Sequence, residues 1–121
     1  METVSNEVKS ESLKAFQSAI RKSENALENM AQKGANTTLI KKRLHALQAG
    51  LALLESAWEQ RPHDYNREEL IEARGVLVGL FPSLQGMYEK AKAGGPQKTL
   101  IERRIKAFEL AAEAIDDFNT K

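Results

Sequence analysis

Hydrophobic residues recur at steps of three and four along most of the chain, which is the spacing of one face of an α-helix. The spacing predicts a first helix over about residues 10–33, with Ser10 or Ser12 as the cap at its start. Gly34 is predicted to end this helix, because glycine adopts the left-handed conformation found after helix ends. Residues 1–9 are expected to form a flexible tail. The predicted buried face comprises Leu13, Phe16, Ile20, Ser23, Leu27 and Met30.

A second helix is predicted over about residues 37–60, before the helix-breaking Pro62. It carries two apolar strips on different sides. The main strip has the heptad spacing of helices packed at shallow angles and comprises Ile40, Leu44, Leu47, Leu51, Leu54 and Trp58. The second strip comprises Ala46, Ala49, Leu53 and Ala57. A helix with two strips to bury needs two packing partners.

A third helix is predicted over about residues 67–92. Asn66 is a suitable N-cap, and the carboxylates of Glu68 and Glu69 favour the positive end of the helix dipole. Pro82 lies inside the helical pattern, where it removes a backbone hydrogen bond, so a kink is predicted there. The predicted buried face comprises Leu70, Ala73, Leu77, Phe81, Leu84, Tyr88 and Ala91.

The fourth helix is predicted over about residues 96–118. Pro96 suits the first position of a helix, since the amide hydrogen that proline lacks has no helical partner there. If the helix begins slightly later, Thr99 and Glu102 form a capping box. Two apolar strips are again present, the first with Ile101, Ile105, Phe108, Ala112 and Ile115 and the second with Ala107, Leu110, Ala114 and Phe118.

The second and fourth helices resemble each other at a constant offset of 61 residues, which carries Thr38 to Thr99 and Arg43 to Arg104. We interpret this offset as an internal duplication of a helical hairpin. Short connections between long helices favour antiparallel neighbours. The predicted fold is therefore all-α, an antiparallel up-down-up-down four-helix bundle in one domain over residues 10–121. A three-helix core that exchanges one element between subunits is the structural alternative.

Composition narrows the classes of function. The 121 residues are 41% hydrophobic and 29% charged, and the formal net charge of +1 argues against a dominant role in binding polyanions. The chain has no cysteine, which excludes disulfides, thiolate catalysis and cysteine-bound metals. No apolar run approaches the roughly 20 residues that a membrane span needs. We expect a soluble, cytoplasmic protein with no membrane partner.

No catalytic residue, cofactor site or metal site is predicted. Phosphate-binding glycine loops, nucleophile elbows and HExxH helices are absent from the sequence. His63 and Asp64 precede three carboxylates of the third helix, an arrangement able to bind a metal ion. Acidic residues are also usual at helix starts, and we favour that explanation. The second histidine, His45, is predicted to be exposed.

The first candidate for function is an uncharged run over residues 75–88 of the third helix. A surface helix normally has a charged outer side. Here small residues cluster opposite the buried face, namely Gly75, Gly79, Pro82, Ser83 and Gly86. This face is either a bland outer side, a protein interface or a groove for an apolar ligand. The leading hypothesis is a non-enzymatic protein-interaction module that binds a partner or a second copy of itself as a homodimer.

The second candidate is a duplicated basic cluster near the starts of the second and fourth helices. Its predicted anion-binding residues are Lys41, Lys42, Arg43, Arg103 and Arg104. Such a cluster is usually a solvated face whose cations pair with nearby carboxylates, but the two copies together would suit an anion or nucleic acid. Because no aromatic residues are interleaved for base stacking, nucleic acid is not the expected partner. The apolar residues shared by the copies, including the Leu39 and Leu100 pair, are attributed to core packing.

Overall fold

The computed structural model describes residues 3–120, and every regular element in this range is helical. The all-α prediction is therefore confirmed. The helices are α1 (Asn6–Gln32), α2 (Thr38–Glu59), α3 (Arg67–Gly79), α4 (Phe81–Lys90) and α5 (Pro96–Asn119). Together α3 and α4 occupy the place of the predicted third helix, and only Leu80 lies between them.

The first helix begins four residues earlier than predicted. Its N-cap is Ser5, whose side-chain oxygen accepts a hydrogen bond from the Val8 amide at 3.2 Å. Val4 and Val8 pack against the core, so the extra turn gains apolar contact. The predicted capping role of Ser10 or Ser12 is wrong, because both residues lie inside α1, where Ser12 is buried. Residues 6–9 of the predicted tail are thus helical, while residues 1 and 2 lie outside the described part.

Other helix ends follow local chemistry. Gly34 has a φ of 70°, the left-handed conformation expected after a helix end. Asn66 and Glu69 form a capping box, in which each side chain accepts from the other residue's amide at 2.8 and 3.0 Å. The alternative capping box at Thr99 is wrong, since α5 already begins at Pro96, whose ring presets the helical φ.

The core is built around α2 and α5. Helix α5 contacts each of the other four helices, and α1 and α3 each contact both α2 and α5. The second strip of α2 is deeply buried at Ala46, Ala49 and Leu53. At the centre the rings of Phe16 and Phe108 meet with centroids 5.1 Å apart. Both strips of these two helices therefore contribute to one core.

A glycine within α2 lies where side chains of two other helices approach the α2 backbone closely. A Cβ atom on Gly50 would lie 2.9 Å from Cε1 of Phe16 and 3.1 Å from Cδ1 of Leu77. Such separations are below van der Waals contact. Gly50 thus allows α1 and α3 to approach α2 at the same point.

The pair Leu39 and Leu100 departs from the predicted core. These leucines are 63% and 59% exposed. Each precedes an isoleucine of the apolar strip by one residue, which places it about 100° around the helix and outside the strip. Within the described helices none offers an apolar stretch long enough to cross a membrane.

Candidate functional site

The predicted interface residues of α3 and α4 lie on the outside of the structure. Gly75, Gly79, Pro82 and Ser83 are exposed, and Gly86 is half-buried. A Cβ atom placed on any of the three glycines would meet no heavy atom within 4 Å outside its own helix backbone. Unlike Gly50, these glycines accommodate no close neighbour in this chain.

Two large apolar side chains join this surface. Ile71 is 54% exposed and Val78 is 37% exposed. With Gly75 they follow steps of four and three on one side of α3, and Pro82 continues this spacing, four residues after Val78, in the first turn of α4. We call these four residues the outer stripe. The glycines and proline had signalled this surface, whereas Ile71 and Val78 were missed although their spacing was readable.

The outer stripe crosses the junction between α3 and α4. The Leu80 amide donates to the Leu77 carbonyl at 3.1 Å, a three-residue hydrogen bond that ends α3. Pro82 then lies in the first turn of α4, where its missing amide hydrogen removes no helical bond. Leu80 itself packs against the core. At the junction between the two helices, Leu80 therefore contacts the core while the outer stripe remains exposed to solvent.

The predicted basic residues separate into distinct environments. Lys41, Lys42, Arg43 and Arg103 are exposed, whereas Arg104 is half-buried. Arg103 pairs with Glu11 of α1, with Nη2 and Oε2 3.0 Å apart. The adjacent Arg103 and Arg104 therefore differ in both burial and pairing.

Arg43 and Arg104, however, line the same cavity of about 160 Å³. Lys22 of α1 also lines it, a cation that lies outside the repeat and was missed by the sequence analysis. We call the space bounded by Lys22, Arg43 and Arg104 the basic cavity. The hydroxyl-bearing Ser23 and Ser83 line it as well, and the remaining wall is apolar, formed by Ala19, Leu47, Leu80, Leu84 and Phe108.

The charges of the basic cavity are uncompensated within the described structure. No carboxylate lines the cavity, and in residues 3–120 none of its three cations makes an ion pair. The Nε atom of Arg104 is buried without a hydrogen-bond partner. Burial also lowers the pKa of Arg104 below its ordinary value. The chemistry of this lining is suited to holding an anion.

A larger groove of about 640 Å³ adjoins the basic cavity and shares Lys22 and Arg104 with it. It runs along α1 and the beginning of α5, and its apolar lining includes Met87, Leu100 and Ile101. The exposed Leu100 thus lies one helical turn before Arg104, so an apolar and a cationic group face the same space.

A small aromatic cluster surrounds the two histidines. His45 is half-buried rather than exposed, because the Tyr65 ring packs edge-on against it at 5.6 Å between centroids. His45 Nε2 lies 3.7 Å from Glu69 Oε2, and His63 packs on Phe118. Burial, followed by the charge of Glu69, raises the pKa of Tyr65. Among residues 3–120 no three metal-binding side chains converge here or elsewhere.

Comparison with known proteins assigns no role to these residues. The chain matches no protein-family model, no curated protein and no solved structure.

Proposed function

We propose that this chain is a small, cytoplasmic, non-enzymatic protein-interaction module that acts through the outer stripe and the flanking Gly79, Ser83 and Gly86. The observation that carries the proposal is an uncharged, uncovered stripe on the side of α3 opposite its buried residues. Its partner is a second copy of the chain or another protein.

Burial on the two sides of α3 supports this proposal. Leu70 and Leu77 are 0% exposed, while Ile71 and Val78 on the outer side keep 54% and 37% of their surface in contact with solvent. Exposed apolar residues aligned on the outer side are typical of a helix that contacts a further surface. A partner would remove both side chains from water.

The glycines add a reason for a close contact. Each glycine in a helix weakens it by up to roughly 1 kcal/mol relative to alanine. Gly75 lies inside α3 with open space above it, so no contact among residues 3–120 requires a residue without a side chain there. A partner backbone that approaches this surface closely would require one.

We further propose that the architecture is the antiparallel up-down-up-down bundle of two duplicated hairpins, kinked near Pro82. In such a bundle the second and fourth helices run in the same direction. The proposal is supported by pairs of residues at the offset of 61 that line common cavities. These pairs are Arg43 with Arg104, Leu47 with Phe108, Leu53 with Ala114, and Ala57 with Phe118.

A charge introduced into the stripe tests the interaction. Gly79→Glu has open space for its side chain, and Gln17→Glu on the exposed side of α1 is a control with an added carboxylate elsewhere. Light scattering over a range of concentrations measures self-association, and affinity capture measures other partners. We expect Gly79→Glu to lose the association that wild type and Gln17→Glu retain. A chain that stays monomeric, with captured proteins identical for Gly79→Glu and wild type, would contradict the proposal.

A further inference from the structure

We propose that the basic cavity is a binding site for a phosphate-type oxyanion, held by Lys22, Arg43 and Arg104. The evidence for this site is independent of the interaction proposed for the outer stripe. Its residues come from α1, α2 and α5, and α4 adds the Ser83 hydroxyl.

The polar lining consists of groups that can donate hydrogen bonds. Of residues 3–120, three cations and two hydroxyl groups line the cavity, and no carboxylate does. Arginine matches the oxygen geometry of phosphate with two parallel donors, and lysine supplies a compact charge. An ordinary solvated basic face would leave its cations apart or beside acidic residues. Here cations from three separate helices converge on one space.

Arg104 is the innermost charge of the site. Its Nε atom is buried and has no partner, although a buried polar group without a hydrogen bond is normally costly to the fold. Removal of this charge from water lowers its pKa, and two further cations line the same cavity. A bound dianion would pair with the guanidinium group of Arg104 and offset the repulsion between the three positive charges.

The volume of the basic cavity is sufficient for a small anion or for the phosphate group of a larger molecule. About 160 Å³ is the space of roughly five water molecules at about 30 Å³ each, and an inorganic phosphate has five heavy atoms. The adjoining groove of about 640 Å³ has the volume of a small-molecule site and shares Lys22 and Arg104. Its Leu100 and Ile101 would contact the organic part of a phosphate monoester.

The test is a calorimetric titration of the full chain with inorganic phosphate at low ionic strength. Arg43→Gln and Lys22→Gln alter exposed side chains and leave the core intact. Each is expected to weaken phosphate binding about tenfold, the loss expected when a charge-assisted hydrogen bond is removed. Arg104→Gln is expected to abolish it. The matched control is Lys42→Gln, which removes the neighbouring cation of the same helix without touching the cavity.

Two results would overturn the proposal. One is the absence of phosphate binding by wild type. The other is an equal loss of affinity in Lys42→Gln and Arg43→Gln, because it would indicate a diffuse basic surface. Should Arg104→Gln fail to fold, the two exposed variants still decide the matter. Phenyl phosphate as a second probe distinguishes the source of the anion, since tighter binding than phosphate indicates an organic monoester and equal binding indicates the free ion.

Discussion

The ring of Phe16 occupies the space that a side chain at position 50 would need, since a Cβ atom on Gly50 would lie 2.9 Å from Cε1 of that ring. Phe16 is 0% exposed and packs on Phe108, so the ring has little room to move away. The presence of Gly50 in the interior of α2 is therefore explained by packing against the neighbouring α1 and not by the conformation of α2 itself.

This contact predicts that Gly50→Ala destabilises the protein. Alanine improves helix propensity by up to about 1 kcal/mol, but overpacking a tight core costs about 1–3 kcal/mol. We expect a net loss of about 1–2 kcal/mol in the free energy of unfolding, measured by urea denaturation. An unchanged or higher midpoint would show that Phe16 and Leu77 yield to the added methyl group.

The same substitution at Gly75 is expected to act in the opposite direction. Gly75 lies inside α3, and a Cβ atom there would meet no neighbour within 4 Å. Gly75→Ala should therefore raise the free energy of unfolding by about 0.5–1 kcal/mol, the gain in helix propensity. Urea denaturation of a sample verified as monomeric measures this, and a loss of stability would mean that the position is constrained within the chain.

Replacement of Arg104 by methionine separates stability from binding. The variant keeps an apolar side chain of similar length and removes an unpaired, partly desolvated charge. We expect its free energy of unfolding without ligand to stay level or rise by up to about 1 kcal/mol. Arg103→Met, which breaks the exposed ion pair with Glu11, should change stability by less than about 0.5 kcal/mol.

The unfolding temperatures of Arg104→Met and Arg103→Met in the presence of phosphate test whether the anion binds at Arg104. Added phosphate should raise the unfolding temperature of Arg103→Met but leave that of Arg104→Met unchanged, because only a ligand that binds the folded chain stabilises it. Equal stabilisation of the two variants by phosphate would place the anion elsewhere.

We expect ionisation of Tyr88 to lower the free energy of unfolding at alkaline pH. Its hydroxyl donates to Oε1 of Glu102 at 2.9 Å, and this hydrogen bond is the main cause that raises the pKa of Tyr88 above 10.0. A raised folded pKa contributes stability that is fully present below the unfolded pKa and is lost as pH rises through the folded value. Tyr88→Phe should therefore lose less stability than wild type above about pH 10.

Absorbance of the ionised phenol, followed in parallel with thermal unfolding, tests this linkage. Tyr65, whose pKa burial raises, should still titrate in the variant and leave a smaller pH dependence. Identical alkaline unfolding profiles of wild type and Tyr88→Phe would exclude a contribution from the hydrogen bond to Glu102.

The spacing of hydrophobic residues was sufficient to predict the helices. Single residues were sufficient to predict helix ends where they act on the local backbone. Gly34 and Asn66 end and begin helices as predicted, because each acts on its own backbone. The start of α1 was misplaced because Val8 gains its contact from distant parts of the chain. Leu39 was assigned to the core because it recurs as Leu100 in the repeat, although its position around the helix places it in solvent.

The candidate sites divide in the same way. The surface that contains the glycines of α3 could be predicted from the sequence alone, because a run of uncharged residues is visible there without a structure. Arg43 and Arg104 were identified through the repeat, but their meeting at one cavity depends on the packing of α2 and α5. Lys22 lies outside the repeat, so no equivalent residue in a second copy indicated its role. Only the tertiary structure brings it to the same cavity.

Helix α4 has a consequence for dynamics. Among the described helices it contacts only α3 and α5, and Leu84 is its one buried residue. Few buried contacts favour local opening while the rest of a protein stays folded. Yet α4 contributes Pro82 to the outer stripe and Ser83 to the basic cavity. We expect phosphate to slow hydrogen exchange of the α4 amides more than of those in α2. A single local unfolding equilibrium would then govern both surfaces, so that occupation of either one favours the other.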